Sequence, residues 1–360
     1  MFKILLDMPV PEHLESATDD IDTIASRDKH IIWKVKAQAA RLTFRLFSRY
    51  ANLKFILKKT DPDRPFQEYF NSNYAETLCE SHLQIIFKRK THFVGSKALN
   101  FVIKLVSSAI KIPLTMEKMK PFIDNILYET AIPLMIISNR DIQLFEEDPI
   151  EYVRKQQDLF ESIYMPKVTT VELLQLICQY KSTPGRKVKP DYLMPFLAFV
   201  SNNMQQYGEA LAAGGNPDWR VKESLLYAVG SLNEDIALYK EYAHNIEPML
   251  KTHVLSDFAS PHPLLKSRAC WVYGQFSDYE FNDKQHIQQA VDGIYQSLFS
   301  EHLPVKFAAA ISLSKMLDDD TAMEFLKPAL KNILEVYLKI MEEIDSEDLI
   351  SALEMIMERF

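Results

Sequence analysis

Residues 216–360 repeat themselves, and that repeat confines the chain to one kind of architecture. An apolar residue followed by lysine opens three helix-like runs, at Val221-Lys222, Leu265-Lys266 and Val305-Lys306, and Leu349 opens a fourth without the lysine. From each anchor the residues at +4, +7 and +11 are apolar or small: Leu225, Ala228 and Leu232; Ala269, Val272 and Phe276; Ala309, Ser312 and Met316; Leu353, Ile356 and Phe360. Those offsets describe one face of an α-helix. The anchors lie 44, 40 and 44 residues apart, the period of HEAT or armadillo units at roughly 40 to 47 residues. A second helical run fills each gap, at 239–256, 283–299 and 322–341, and two of these hold a proline among apolar residues, Pro248 and Pro328. A proline inside a helix removes a donor and crowds the preceding turn, so these helices are expected to bend. The expected fold is all-α, a HEAT-repeat superhelical solenoid of paired antiparallel helices.

The pattern starts early. In the helix expected at 31–50, Val35-Lys36, Ala39, Leu42 and Leu46 reproduce the anchor offsets. Residues 1–30 read as a short apolar fragment and then a loop, 66–89 as a helix, and 96–112 as a helix with Leu99, Val102, Ile103 and Val106 on one side. Two further long helices, at 115–136 and 191–207, carry internal prolines at Pro121 and Pro195. The whole chain, 1–360, is therefore expected to be one continuous array of about seven to eight repeats, with flexible joints near 51–65, 181–189 and 208–217. Both ends lack the polar capping repeat that closes such arrays. The chain is expected to be a central piece of a longer solenoid, the other reading being a last helix covered by a dimer partner.

Composition narrows the function classes. Apolar residues make up 47% and glycines number only 8, which favours helix over strand. Cys79, Cys178 and Cys270 stand apart in apolar helical runs, so buried thiols of a reducing compartment, cytosol or nucleus, are expected before disulfides or a metal site. No apolar run reaches the roughly 18 residues of a membrane span. The net charge of −8 is unevenly spread: 31–60 holds eight Lys or Arg and no acid, whereas 301–360 holds 13 acids against 6 bases. The basic stretch reads as a solvated helix face, since the aromatic interleaving of a nucleic-acid site is weak, and no direct nucleic-acid contact is expected. An acidic surface suits basic partners.

Catalytic patterns are missing from the sequence. It has no His-Glu-x-x-His, no Gly-x-Ser-x-Gly and no Cys-x-x-Cys, and Pro184-Gly185-Arg186-Lys187 lacks the first glycine and the terminal Ser/Thr of a phosphate loop. His82, His244 and His286 lie within helical runs and His262 in a turn between two prolines. Neither an enzyme nor a cofactor is expected. The densest group of unusual residues is 139–161, where Asp148-Pro149 can open a helix with the aspartate as N-cap and Glu151 and Arg154 lie one turn apart.

Several segments carry a resemblance. Trp33-Lys34-Val35-Lys36, the run Arg45 to Tyr50, Leu144 to Arg154 (LFEEDPIEYVR), Leu226 to Leu232 (LYAVGSL), Arg268 to Val272 (RACWV) and Leu303 to Ala310 (LPVKFAAA) follow in the order seen in the importin-β superfamily. The chain most resembles the importin seven and importin eight branch and its fungal relatives, from about Ile31 to Phe360, and departs from the animal proteins at 181–189 and 207–217. The resemblance implies the central part of a nuclear transport receptor that shuttles through the pore between cytoplasm and nucleus. It implies basic cargo, including ribosomal proteins and histones, release by Ran-GTP through the full-length protein, and contact with phenylalanine-glycine nucleoporins. On that reading the second helices line a concave face, and Glu146, Glu147 and Asp148, with Asp318, Asp319 and Asp320 at a repeat joint, are the cargo-binding candidates. The competing reading is a HEAT scaffold subunit of a multiprotein enzyme complex. Affinity for phenylalanine-glycine peptides separates the two.

Overall fold

The computed structural model describes residues 2–52, 58, 60–157, 165–183, 185 and 188–359. Among them every regular element is helical, and the one β contact is an isolated bridge between Ser16 and His92. The chain forms two compact units, Met1–Arg140 with Asp158–Leu193, and Asp141–Gln157 with Met194–Phe360. Parts of two expected joints, 53–57, 59, 184, 186 and 187, lie outside the described residues, as does 158–164.

The first unit opens with α1 (Phe2–Asp7), α2 (Ile21–Lys29) and α3 (Ile31–Tyr50). The stretch expected to be a loop thus contains a helix, because Asp20 accepts from the Thr23 amide at 2.8 Å and caps α2. It continues with α4 (Arg64–Asn73), α5 (Ala75–Lys88), α6 (Ser96–Ile110), and a bent run made of α7 (Pro113–Met119), α8 (Ile123–Ile126) and α9 (Ile132–Met135). The chain then passes through α10 (Asn139–Glu147) and α11 (Pro149–Gln157), whose residues from Asp141 on belong to the second unit, and α12 (Pro166–Cys178) completes the described helices of the first. Here α1, α3, α6 and α12 lie side by side, with α5 and α7 packed on α6 from the other layer. The apolar stripe read from the sequence faces that second layer: Val102, Ile103 and Val106 are fully buried. One expected helix, 66–89, is two, broken at Tyr74 where φ is −127°.

In the second unit, after α13 (Leu193–Ala212), α14 (Trp219–Gly230) is followed by α15 (Asn233–Ala237), α16 (Lys240–Ala243), α17 (Ile246–Met249) and α18 (Pro263–Gln275). Then come α19 (Lys284–Ser297), α20 (Leu303–Met316), α21 (Asp320–Leu326), α22 (Leu330–Glu343) and α23 (Glu347–Arg359). The four anchor helices α14, α18, α20 and α23 stack in sequence order as one layer, and α19, α21 and α22 belong to the other. Small residues allow the close approach. A Cβ on Gly230 would meet the Trp271 ring at 2.3 Å, and one on Gly274 would meet Ser312 Oγ at 2.8 Å.

Of the prolines expected inside helices, Pro121, Pro248 and Pro328 lie at or beside breaks in helical pitch and Pro195 does not. Pro121 and Pro328 sit in 3₁₀ turns, Lys120–Phe122 and Lys327–Ala329, and Pro133 and Pro248 adjoin π turns, Leu127–Ala131 and Leu250–Val254. Each local change of pitch accommodates the missing donor. Pro195 bends nothing, because α13 starts at Leu193 and a first-turn proline gives up an amide that has no helical partner anyway. The same helix runs through Ala212, so only 213–218 connect it to α14, with Gly214 in the left-handed region at φ 78°.

The anchor lysine has a structural role. Lys222 Nζ reaches Asp257 Oδ1 at 2.5 Å, both side chains buried, and Lys306 reaches Glu343 at 3.5 Å. Lys36 donates to the carbonyls of Leu6 and Met8, the latter at 2.5 Å. Lys36 thus closes the C-terminal end of α1, the negative end of its dipole, whereas Lys222 and Lys306 pair with side-chain carboxylates.

Candidate partner-binding surface

The stretch the sequence marks as unusual is a strap of the second unit. Residues 141–157 cross the N-terminal ends of the anchor helices in order. Ile142 lies with Trp219 and His262, at the starts of α14 and α18, around an open cleft of about 450 Å³ that Asn216, Pro217, Asp218 and Arg220 complete. Phe145 is buried against His302, the residue before α20, with ring centroids 5.4 Å apart. Gln157 donates at 2.8 Å to both Ser346 Oγ and Asp348 Oδ2 at the start of α23.

Beneath the strap lies a buried ionic cluster. Arg268 donates to Glu223 Oε1 at 2.6 Å, and its guanidinium sits 4.3 Å from the Tyr227 ring and 4.7 Å from the Trp271 ring. Glu223 is wholly buried, and among the described residues its Oε2 has no hydrogen-bond partner. Tyr152 of α11 belongs to the same cluster: burial, and then the Glu223 carboxylate, push its hydroxyl pKa up, while Arg268 opposes them. The ring of Tyr152 meets Phe145 edge-on at 5.5 Å. Aromatic packing by Phe145 and Tyr152 holds the strap on its layer, over the desolvated Glu223–Arg268 pair.

This seating projects the first acidic group outward. Glu146, Glu147 and Asp148 are all exposed at the turn between α10 and α11. Glu147 accepts from Gln143 at 3.0 Å. Asp148 accepts from the Glu151 amide at 3.0 Å, the N-cap read from Asp148-Pro149. Glu151 pairs with Lys155 at 3.7 Å. Glu146 and Glu147 thus sit at a fixed turn with their carboxylates in solvent.

The second acidic group is built differently. Asp319 caps α21, accepting from the amides of Thr321 and Ala322 at 2.8 and 3.0 Å. Asp318 is ion-paired with Arg359, and Asp320 is exposed in the first turn of α21. The structure does not join the two groups into one patch. Phe145, beside the first, packs at the N-terminal end of α20, whereas Asp318 follows its C-terminal end, and 14 helical residues separate them by roughly 21 Å. Sequence reasoning missed Tyr152, Glu223 and Arg268 as a unit. They are 71 and 45 residues apart in the chain, and nothing local marks them as neighbours.

His82 and His286 are buried, the three cysteines are buried, and among the described residues no group of three His, Cys, Asp or Glu side chains is placed to hold a metal ion. Among them, too, no single helix is long and apolar enough to cross a membrane.

The comparisons with known proteins agree with this architecture. The Cse1 family model matches residues 53–313. An importin beta-like SAD2 homolog of Arabidopsis thaliana is 28% identical over 362 residues, covering 100% of this chain and 33% of its own length. Importin-8 of Homo sapiens is 27% identical over 358 residues, covering 98% of this chain and 32% of its own. The solved structure of the exportin Cse1 in its cargo-free, cytoplasmic state superimposes with a TM-score of 0.62 at 17% identity, over 99% of this chain and 35% of that one. The chain spans about a third of the length of these relatives, and its fold is that of the Cse1 HEAT-repeat solenoid. By the family model that covers most of its length, this chain belongs to the Cse1 family, within the importin-β superfamily.

Proposed function

We propose that this chain is the central part of a nuclear transport receptor, and that the exposed turn at Glu146 and Glu147 takes basic cargo such as ribosomal proteins or histones. The full-length receptor releases that cargo when Ran-GTP binds, and it shuttles between cytoplasm and nucleus on weak, multiple contacts with phenylalanine-glycine nucleoporins. Family membership supports the receptor reading. What favours the turn is a single feature: two solvated carboxylates held at one place by a strap that is itself anchored through Phe145, Tyr152 and Gln157. A carboxylate pair held in this way attracts lysines and arginines over about a Debye length, roughly 8 to 10 Å in physiological salt, and so acts chiefly on encounter rate and selectivity.

The experiment that tests the receptor reading is capture of the full-length parent on immobilised phenylalanine-glycine peptide, followed by cargo pull-down with and without Ran-GTP. Retention on the peptide and loss of cargo on adding Ran-GTP are expected. A protein that ignores both is a scaffold subunit instead.

A further inference from the structure

The first unit carries a charged surface that the proposed function does not use. Residues 31–60 and 81–116 contain no Asp or Glu at all, in a chain whose net charge is −8. Seven of the bases in these stretches fall into two rows. On α3, Lys34, Arg41, Arg45 and Arg49 follow one another at helical spacing, and Lys97 and Lys104 of α6 do the same, with Lys111 at its C-cap. Lys34, Arg45, Arg49, Lys97 and Lys111 are exposed, and Arg41 and Lys104 are half-buried.

Both rows face one way. Thr43, half a turn round α3 from Arg41 and Arg45, is 3.2 Å from His82 of α5, and Val102 and Val106, across α6 from Lys97 and Lys104, are fully buried. Since α3 and α6 lie side by side, the rows run along neighbouring helices on the side away from the second layer. Between them is an apolar seam: Phe44 and Phe101 meet with ring centroids 6.2 Å apart, Lys104 lies over Phe101 at 5.7 Å, and Leu42 is 38% exposed. The acids at the margins include Asp63, which pairs with Arg49 at 3.0 Å, Glu172 of α12, whose charge acts on Lys104, and Asp28, which accepts from the Ser96 amide and hydroxyl at the start of α6.

We infer that this face of α3 and α6 is a docking surface for an acidic protein segment that carries one or two apolar side chains. Charge complementarity sets the sign of the partner. The seam selects protein over nucleic acid, because Phe44 and Phe101 are turned against each other and offer no open ring pair for stacked bases, whereas a leucine or phenylalanine side chain fits between the rows. On α3 the spacing agrees: Arg41, Arg45 and Arg49, each one helical turn from the next, are separated by about 6 Å, and alternate residues of an extended chain by about 6.6 Å. The inference does not depend on the cargo reading above, which concerns the other unit.

The test is fluorescence anisotropy with a labelled synthetic peptide of about a dozen residues, mostly Asp and Glu with one Phe, long enough to follow the roughly 30 Å of α3. The intact chain is expected to bind it with an affinity that falls as salt rises. Arg41→Glu with Arg45→Glu is expected to weaken binding by at least about tenfold, and Arg41→Gln with Arg45→Gln by less. Lys331→Glu with Lys339→Glu, exposed on α22, is expected to leave it unchanged. Circular dichroism confirms that each variant keeps its helix content. Absence of binding, equal binding by the Arg41/Arg45 reversal, or tighter binding of a single-stranded RNA that the same reversal abolishes, overturns the inference.

Discussion

Arg268 donates to Glu223 at 2.6 Å from one repeat to the previous one, in a site closed by Tyr227, Trp271 and the strap residue Tyr152. A buried pair of this kind is costly to break, because the survivor is a charge with neither water nor partner. Arg268→Met is therefore expected to destabilise the second unit by about 3 to 5 kcal/mol. Denaturant unfolding followed by tryptophan fluorescence, to which Trp219 and Trp271 of this unit contribute, measures it. Adding Glu223→Gln to Arg268→Met is expected to recover part of the loss. If the single variant unfolds at the wild-type midpoint, the pair does not hold the layer together.

The strap depends on two aromatic rings. Truncating a buried aromatic costs about 3 to 5 kcal/mol where the site cannot collapse, and here the cost falls on a local segment before it falls on the whole unit. Phe145→Ala and Tyr152→Ala are each expected to raise tryptic cleavage after Arg154 or Lys155 by about tenfold or more while far-ultraviolet circular dichroism is unchanged. Wild-type protection in both variants would show that the strap is held by something other than these rings.

His82 predicts a pH dependence in the first unit. Its Nδ1–H donates to the Leu78 carbonyl at 2.7 Å, and Nε2 lies 3.2 Å from the Thr43 hydroxyl. Burial is the main cause that lowers its pKa, from 6.5 to about 4. The folded chain then keeps the ring neutral while the unfolded chain protonates it, so stability present above pH 6.5 is lost as pH falls toward 4. The ring protons of His82 are expected to titrate near the lower value by NMR, and His82→Gln to flatten the dependence of the melting temperature on pH over that window. A ring titrating at 6.5 contradicts the burial argument.

How much of this was legible in the sequence follows from the range of the contacts involved. The anchors at Val221, Leu265, Val305 and Leu349 are periodic, so they identify α14, α18, α20 and α23, and the cap at Asp148-Pro149 is local, so it fixes the start of α11. The role of Lys222 and Lys306 was not legible, since their acceptors, Asp257 and Glu343, lie a whole helix away. Pro195 looked like Pro121 because composition does not show which turn of a helix a proline occupies. The placement of the strap was the least accessible: Gln157 and Ser346 are joined across 189 residues, and no periodicity records such a contact. For the candidate site, charge counting picks out the acids but not their surroundings: Glu146 and Glu147 are exposed, whereas Asp318 is paired with Arg359 and Asp319 caps a helix.

The most direct measurement is titration of a labelled histone or ribosomal protein with the wild-type chain and with Glu146→Lys/Glu147→Lys, at low and at physiological salt. Asp148 is left intact because it caps α11. The wild type is expected to bind, less tightly as salt rises, and the double reversal to lose about tenfold or more in affinity, with the association rate falling most. Equal affinity of the two proteins at low salt would contradict the claim that this turn receives basic cargo.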